Sequence, residues 1–219
     1  MQINGVMVVE DDSFTRSTLC TALTSLGIEI VAETGSVKDA LSLAKKHKPA
    51  ACLIDLDLGK GPTGIDLAHA LRRLKTDIGI VFLTTYDDPR FLRSNMSVLP
   101  SGSEYLVKKS VKDILVVVST LQRAIDSGKN IGTQTSIQSS LPRTQNLELT
   151  DLQVETLRLV SQGLTNTEIA KLRFITEKSV EQTLNRISKI LSIPKDSTHN
   201  QRVHMARVFF RNSGAPPTE

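Results

Sequence analysis

Two apolar runs in this sequence end in acids, and together they assemble the chemistry of a charged site. The run Val6-Met7-Val8-Val9 passes through Glu10 into the pair Asp11-Asp12, and the run Ala51-Cys52-Leu53-Ile54 ends in Asp55. Both read as buried parallel strands, and open α/β sheets bind ligands outside the carboxyl ends of their strands. Carboxylates gathered there repel one another and resist ionisation unless a cation or a proton joins them. Thr84 ends a fourth strand-like run and Lys108 a fifth, which adds a hydroxyl and an ammonium at the same edge. Two acids to hold magnesium, one to attack, a hydroxyl and a lysine make a coherent set for phosphoryl transfer. Magnesium prefers octahedral oxygen ligation with few carboxylates and several waters. Its charge offsets the repulsion between a carboxylate nucleophile and an anionic phosphoryl group. A lysine suits a phosphoryl oxygen as a compact charge with rotatable donors. Taken singly, Asp11 and Asp12 read better as anions at a helix N-terminus, and Lys108 as a surface lysine. It is the joint placement of all five positions that favours a site.

The elements that must position these residues can be read from periodicity. Strand patterns cover residues 6–10, 28–32, 51–55, 78–84 and 104–107, and helical patterns cover 13–26, 37–47, 65–74, 89–96 and 111–125. Alternation of this kind predicts right-handed βαβ crossovers and a doubly wound, five-stranded parallel sheet of flavodoxin-like type, covered on both faces. No glycine-rich phosphate loop follows the first strand, which disfavours a nucleotide-binding domain.

The composition then changes. Residues 127–146 are rich in Ser, Thr, Gln, Asn and Gly with little apolar periodicity, and read as a linker between a first domain, 1–126, and a second, 147–212, followed by a flexible tail, 213–219. The second domain reads as a small all-α unit. Thr150-x-x-Gln153 and Thr165-x-x-Glu168 have capping-box spacing, and Gly163 between them marks a helix stop. A third helix begins near Thr176 with Val180, Leu184 and Ile187 on its core face, and a fourth covers residues 199–210. This succession predicts a helix-turn-helix, whose later helix enters the DNA major groove. The apolar face of the last helix, including Met205, Phe209 and Phe210, suits packing within its own domain and dimerisation equally well.

The bulk numbers are permissive. A formal net charge of +4 over 219 residues does not by itself identify a nucleic-acid binder. Cys20 and Cys52 suggest neither a disulfide framework nor a zinc site, and both read as buried small hydrophobes. With no charged-then-apolar leader and no membrane-spanning apolar stretch, the expectation is a cytoplasmic protein without a membrane partner.

The set Asp11, Asp12, Asp55, Thr84 and Lys108 resembles the receiver domain of bacterial response regulators. The sequence Leu149-Thr150 through Gly163-Leu164-Thr165-Asn166-Thr167-Glu168-Ile169-Ala170 to Ile175-Thr176-Glu177-Lys178-Ser179-Val180 resembles the LuxR-type DNA-binding domain. Joined, they resemble a NarL/FixJ-type response regulator. The resemblance implies that Asp55 is the phosphoacceptor and that magnesium is held by Asp11, Asp12, Asp55 and the backbone carbonyl of Asp57. Thr84 is implied as the hydroxyl that turns toward the phosphoryl group, Tyr105 as its coupled aromatic and Lys108 as the phosphate-binding lysine. On the third helix it puts Glu181, Gln182 and Asn185 on the base-facing surface, with Lys178, Arg186 and Lys189 as phosphate contacts. The implied partners are a sensor histidine kinase, double-stranded DNA and a second copy of the chain. The implied catalysis is limited to magnesium-dependent self-phosphorylation and autodephosphorylation. Lys109 stands where receivers often have proline, the loop Gly59-Lys60-Gly61-Pro62-Thr63-Gly64 is unusual, and Gln153 and Thr183 replace a common Glu and His of LuxR-type domains. Two other readings use the same residues: a phosphorelay or interaction module with a helical output that does not bind DNA, and a magnesium-dependent phosphohydrolase.

Overall fold

The computed structural model describes residues 3, 5–93, 96–130, 148–194 and 200–214. The segment expected as a linker lies almost wholly outside them, as does most of the expected tail. The chain divides into two compact units, Met1–Thr85 with Ser97–Arg143, and Tyr86–Met96 with Thr144–Glu219.

The first unit is the expected parallel sheet. Strands β1 (Val6–Val9), β2 (Ile30–Thr34), β3 (Ala51–Ile54), β4 (Gly79–Thr84) and β5 (Glu104–Val107) stand in the order β2-β1-β3-β4-β5, every neighbouring pair parallel. β1, β3 and β4 are buried along their whole length. That explains their nearly unbroken apolar sequence, since a parallel sheet is covered on both faces. Alternation assigns Val6, Val8, Leu53, Val81 and Leu83 to one face, where they pack with Leu23 of α1 (Ser13–Ser25) and with Val117 and Leu121 of α4 (Ile114–Asn130). α2 (Val37–His47) and α3 (Gly64–Leu74) pack against each other and bury Ala40, Ala44, Ile65, Ala68 and Leu71. Close approach is built in where α4 crosses the start of β4: a Cβ on Gly79 would lie 2.8 Å from the Ile125 nitrogen.

Two expectations for the first domain, 1–126, need correction. The second strand runs from Ile30 to Thr34, later than 28–32, because Ile28 closes the end of α1 by donating its N–H to the Leu23 carbonyl before the chain turns extended. Of the helix expected over 89–96, the described residues form a single 3-10 turn, Pro89–Phe91. Asp88 caps it and Pro89 starts it, but Phe91 is drawn into an apolar core rather than onto a helix stripe. Cys52 is buried as expected, whereas Cys20 is half-exposed.

The second unit contains α5 (Asp151–Ser161), α6 (Asn166–Leu172), α7 (Glu177–Ile190) and α8 (Gln201–Ser213). Thr150 and Gln153 form the reciprocal capping box, and Thr165 and Thr176 cap α6 and α7 through their side-chain oxygens. Caps of this kind contribute about 1 kcal/mol each. Val154, Leu157, Val160, Ile169, Val180, Leu184 and Ile187 share one core with Met205 and Phe209, so the last helix spends these apolar side chains within its own unit. Arg173 ties the turn between α6 and α7 to α5 by donating to the Thr156 hydroxyl at 2.6 Å.

Candidate phosphoryl-transfer site

β1 and β3 lie side by side with Val9 opposite Ile54, so the next residue of each, Glu10 and Asp55, leaves the sheet at the same level. Asp11 follows Glu10, and one carboxylate oxygen from each of Glu10, Asp11 and Asp55 lies within 4.8 Å of the others. Glu10 and Asp55 are buried while Asp11 is exposed, so the cluster opens to solvent on one side. Among the described residues this is the group of acids whose spacing suits a cation. Its all-oxygen donor set, with a wet side left for waters, matches the ligation magnesium prefers.

The acid beside Asp11 in this cluster is therefore Glu10 rather than Asp12. Asp12 is the N-cap of α1 and accepts a hydrogen bond from the Thr15 N–H at 2.7 Å. Hydrogen bonds from Thr15 hold its carboxyl below the usual aspartate range. Asp12-Ser13 is a helix-start signal, which accounts for the capping role of Asp12, whereas the place of Glu10 level with Asp55 follows from the register of β1 on β3. Arg16 was not anticipated: its Nη1 donates to the Glu10 carbonyl at 2.6 Å and to that of Asp11 at 3.4 Å, clasping the backbone where β1 ends.

Lys108 opens a 3-10 turn after β5 and reaches across the sheet edge. Its Nζ donates to Glu10 Oε2 at 2.7 Å and to Asp55 Oδ2 at 2.8 Å. Burial works against the ammonium charge, but the Asp55 charge and the hydrogen bonds to Asp55 and Glu10 outweigh it and raise the Lys108 pKa. Burial also dominates at Glu10, where it lifts the carboxyl to about 7 against the opposing pull of Lys108.

Of the remaining expected positions, Asp57 and Thr84 lie at the same edge and Tyr105 lies further back within β5. Asp57 follows Asp55 by two residues, donates its N–H to Asp55 Oδ1 at 3.4 Å and accepts the Gly59 N–H on its own Oδ1 at 3.2 Å. Gly64 begins α3 against the Asp55 backbone, where a Cβ would lie 2.0 Å from the Asp55 carbonyl oxygen. Thr84 is buried at the end of β4, paired with Val107. Tyr105 is buried on β5 opposite Phe82, their ring centroids 6.4 Å apart.

Residues 6–119 match the response regulator receiver domain family. The chain belongs to that family. Beyond the receiver, the likeness extends through the helical unit. The nitrate/nitrite response regulator protein NarP of Escherichia coli is 27% identical over 96% of this chain and 96% of its own length. The DNA-binding transcriptional activator DevR/DosR of Mycobacterium tuberculosis is 27% identical over 83% and 85%. In fold, the receiver and helical unit together are similar to the response regulator RcsB solved as a DNA complex, with a TM-score of 0.56 and 17% identity over 97% of this chain and 99% of that one.

In the unit that follows the receiver, Val180, Leu184, Ile187 and Ser188 form the buried side of α7. Lys178, Glu181, Gln182, Asn185, Arg186 and Lys189 are all exposed. No described helix is long and apolar enough to cross a membrane.

Proposed function

We propose that this chain is a two-component response regulator that receives a phosphoryl group on Asp55 and regulates transcription by binding DNA through α7. The observation that carries the reading is the cluster of Glu10, Asp11, Asp55 and Lys108 at the carboxyl edge of a receiver sheet. A capped helix-turn-helix unit with a polar, exposed α7 face supports the output.

Asp55 attacks the phosphorus of a phosphohistidine on a sensor kinase, or of a small acyl phosphate. The new bond joins an Asp55 carboxylate oxygen to phosphorus, while the P–N or P–O bond to the donor breaks and the imidazole or carboxylate departs with the bonding pair. Glu10, Asp11, Asp55 and the Asp57 backbone carbonyl would hold magnesium, which would supply charge neutralisation for the meeting of two anions. Lys108 already contacts Asp55 Oδ2 and is placed to pair with a phosphoryl oxygen. Thr84 offers a neutral hydroxyl from the adjoining strand end, with Tyr105, two positions back on β5 and opposite Phe82, as its coupled aromatic. Gln182 and Asn185 are suited to adenine edges and Glu181 to a cytosine amine, while Lys178, Arg186 and Lys189 supply phosphate contacts. Two copies of the chain suit paired half-sites.

The test is labelling with acetyl phosphate and magnesium, read by intact mass, followed by DNA binding. Wild type takes up one phosphoryl group and Asp55→Asn takes up none. Labelling of Asp55→Asn at the wild-type rate assigns the acceptor to another residue and ends this reading.

A further inference from the structure

One helix stop in the second unit carries a residue that neither the local backbone nor the apolar core calls for. α5 stops at Gly163, which lies in the left-handed region at φ 83°; its N–H donates to the Val160 carbonyl and the Leu164 N–H to that of Leu159. α6 stops with the same pair of bonds, from the Phe174 N–H to the Lys171 carbonyl at 3.2 Å and from the Ile175 N–H to the Ala170 carbonyl at 3.0 Å. Phe174 thereby takes the glycine's place, at φ 53°. Glycine is the usual residue at this point, because the Cβ of any other crowds a backbone carbonyl. Lys48 and Ser192 also have positive φ, but each puts a polar side chain into water. Phe174 puts a phenyl ring there, and it is 97% exposed. The ring strains the backbone and buries almost no surface in return. A bulky residue held so, outside its own core, points to a contact made beyond the chain.

We propose that Phe174 is a specificity-determining residue whose ring packs on a thymine methyl group at the edge of the DNA major groove. The proposal rests on the reading of α7 as the DNA-binding helix. Thr176 caps α7 and Glu177 begins it, so Phe174 stands three residues ahead of the helix end that a helix-turn-helix directs into the groove. Lys178, exposed in the first turn of α7, is the phosphate contact that would hold the groove wall near the ring. Among the groups on the base edges of that groove the thymine methyl is the apolar one, and phenylalanine is one of the side chains that recognise it. The two backbone bonds of the α6 stop fix the turn before DNA arrives, which lowers the ordering cost of the contact.

The test uses duplexes selected by the full chain from a random-sequence pool, with acetyl phosphate and magnesium present throughout, each made a second time with deoxyuridine in place of every thymidine. Wild type loses about fourfold or more in affinity on the uracil duplex, the scale of one methyl group taken out of a contact. Phe174→Gly and Phe174→Asn, both suited to a positive φ, bind the thymine duplex about tenfold more weakly than wild type. Their uracil penalty is about fourfold smaller than that of wild type, which ties the loss to the ring and the methyl together. The Tm of both variants stays at or above the wild-type value, because the strain at Phe174 is relieved. A uracil penalty of equal size in wild type and both variants overturns the thymine contact, even where affinity falls on both duplexes, and assigns the ring to another occupant. Wild-type affinity in the variants overturns it too, as does a lowered Tm in both, which would make the ring part of the fold. If wild type selects no duplex, the α7 reading falls and this proposal with it.

Discussion

At the scale of single residues, Glu10 and Asp12 show how a one-position offset changes a role. Both are acids in one short run, yet Glu10 is buried against Lys108 and Asp12 caps α1 in solvent. Glu10→Gln therefore weakens magnesium-dependent labelling of Asp55, whereas Asp12→Asn, which can still cap the helix, leaves labelling near the wild-type rate. Titration gives a second readout. In the metal-free protein the folded state holds the Glu10 proton up to about pH 7, while the unfolded chain releases it near its ordinary value of 4.5. Between those values the folded state binds more protons, so the contribution of Glu10 to stability is largest at the acid end and is lost as pH rises to 7. Urea midpoints of wild type measured against Glu10→Gln across this window should show that loss in wild type only. An identical pH slope in both proteins would remove Glu10 as its source.

At the scale of elements, the close contacts around α3, α4 and the sheet leave no room for added atoms. Gly79→Ala pushes α4 from β4 and should cost about 1–3 kcal/mol in denaturant unfolding, because the obstruction is helix backbone rather than a side chain able to turn away. α7 separates two kinds of DNA contact. Gln182→Ala with Asn185→Ala should weaken a specific target more than random DNA, with about 1–3 kcal/mol lost for each base contact removed. Lys178→Ala, Arg186→Ala or Lys189→Ala should weaken both DNAs alike and flatten the salt dependence by about one counterion each. Equal losses across DNAs for the Gln182 and Asn185 pair would reject base reading by them.

At the scale of the whole molecule, the chain divides into two compact units, with Tyr86–Met96 assigned to the second. Paired half-sites in DNA would reward a dimer. Sedimentation of the labelled chain with DNA carrying two half-sites is expected to give two copies per duplex, and a single copy at saturation would rule out the dimeric output.

The periodic apolar runs are sufficient to specify five parallel strands, the helices between four of them and the buried stripe Val180, Leu184 and Ile187, because burial on a strand or helix imposes its own repeat. Asp55 and Lys108 were legible for a related reason: each ends an apolar run, and strand ends in a parallel sheet converge on one edge. Which acid stands beside Asp11 was not legible, since it depends on the register that sets Val9 opposite Ile54 and hence Glu10 level with Asp55. Nor was the fate of residues 89–96. Local propensity there is weak, and the choice between a receiver helix and a core position passed to Phe91, whose burial against Phe209 is a contact across 118 positions of sequence. The sequence by itself determined the sheet, the helices and the presence of a phosphoryl-transfer set, because those follow from local pattern. Only the tertiary structure decided which carboxylates meet and which unit Phe91 completes, because both depend on groups brought together from distant parts of the chain.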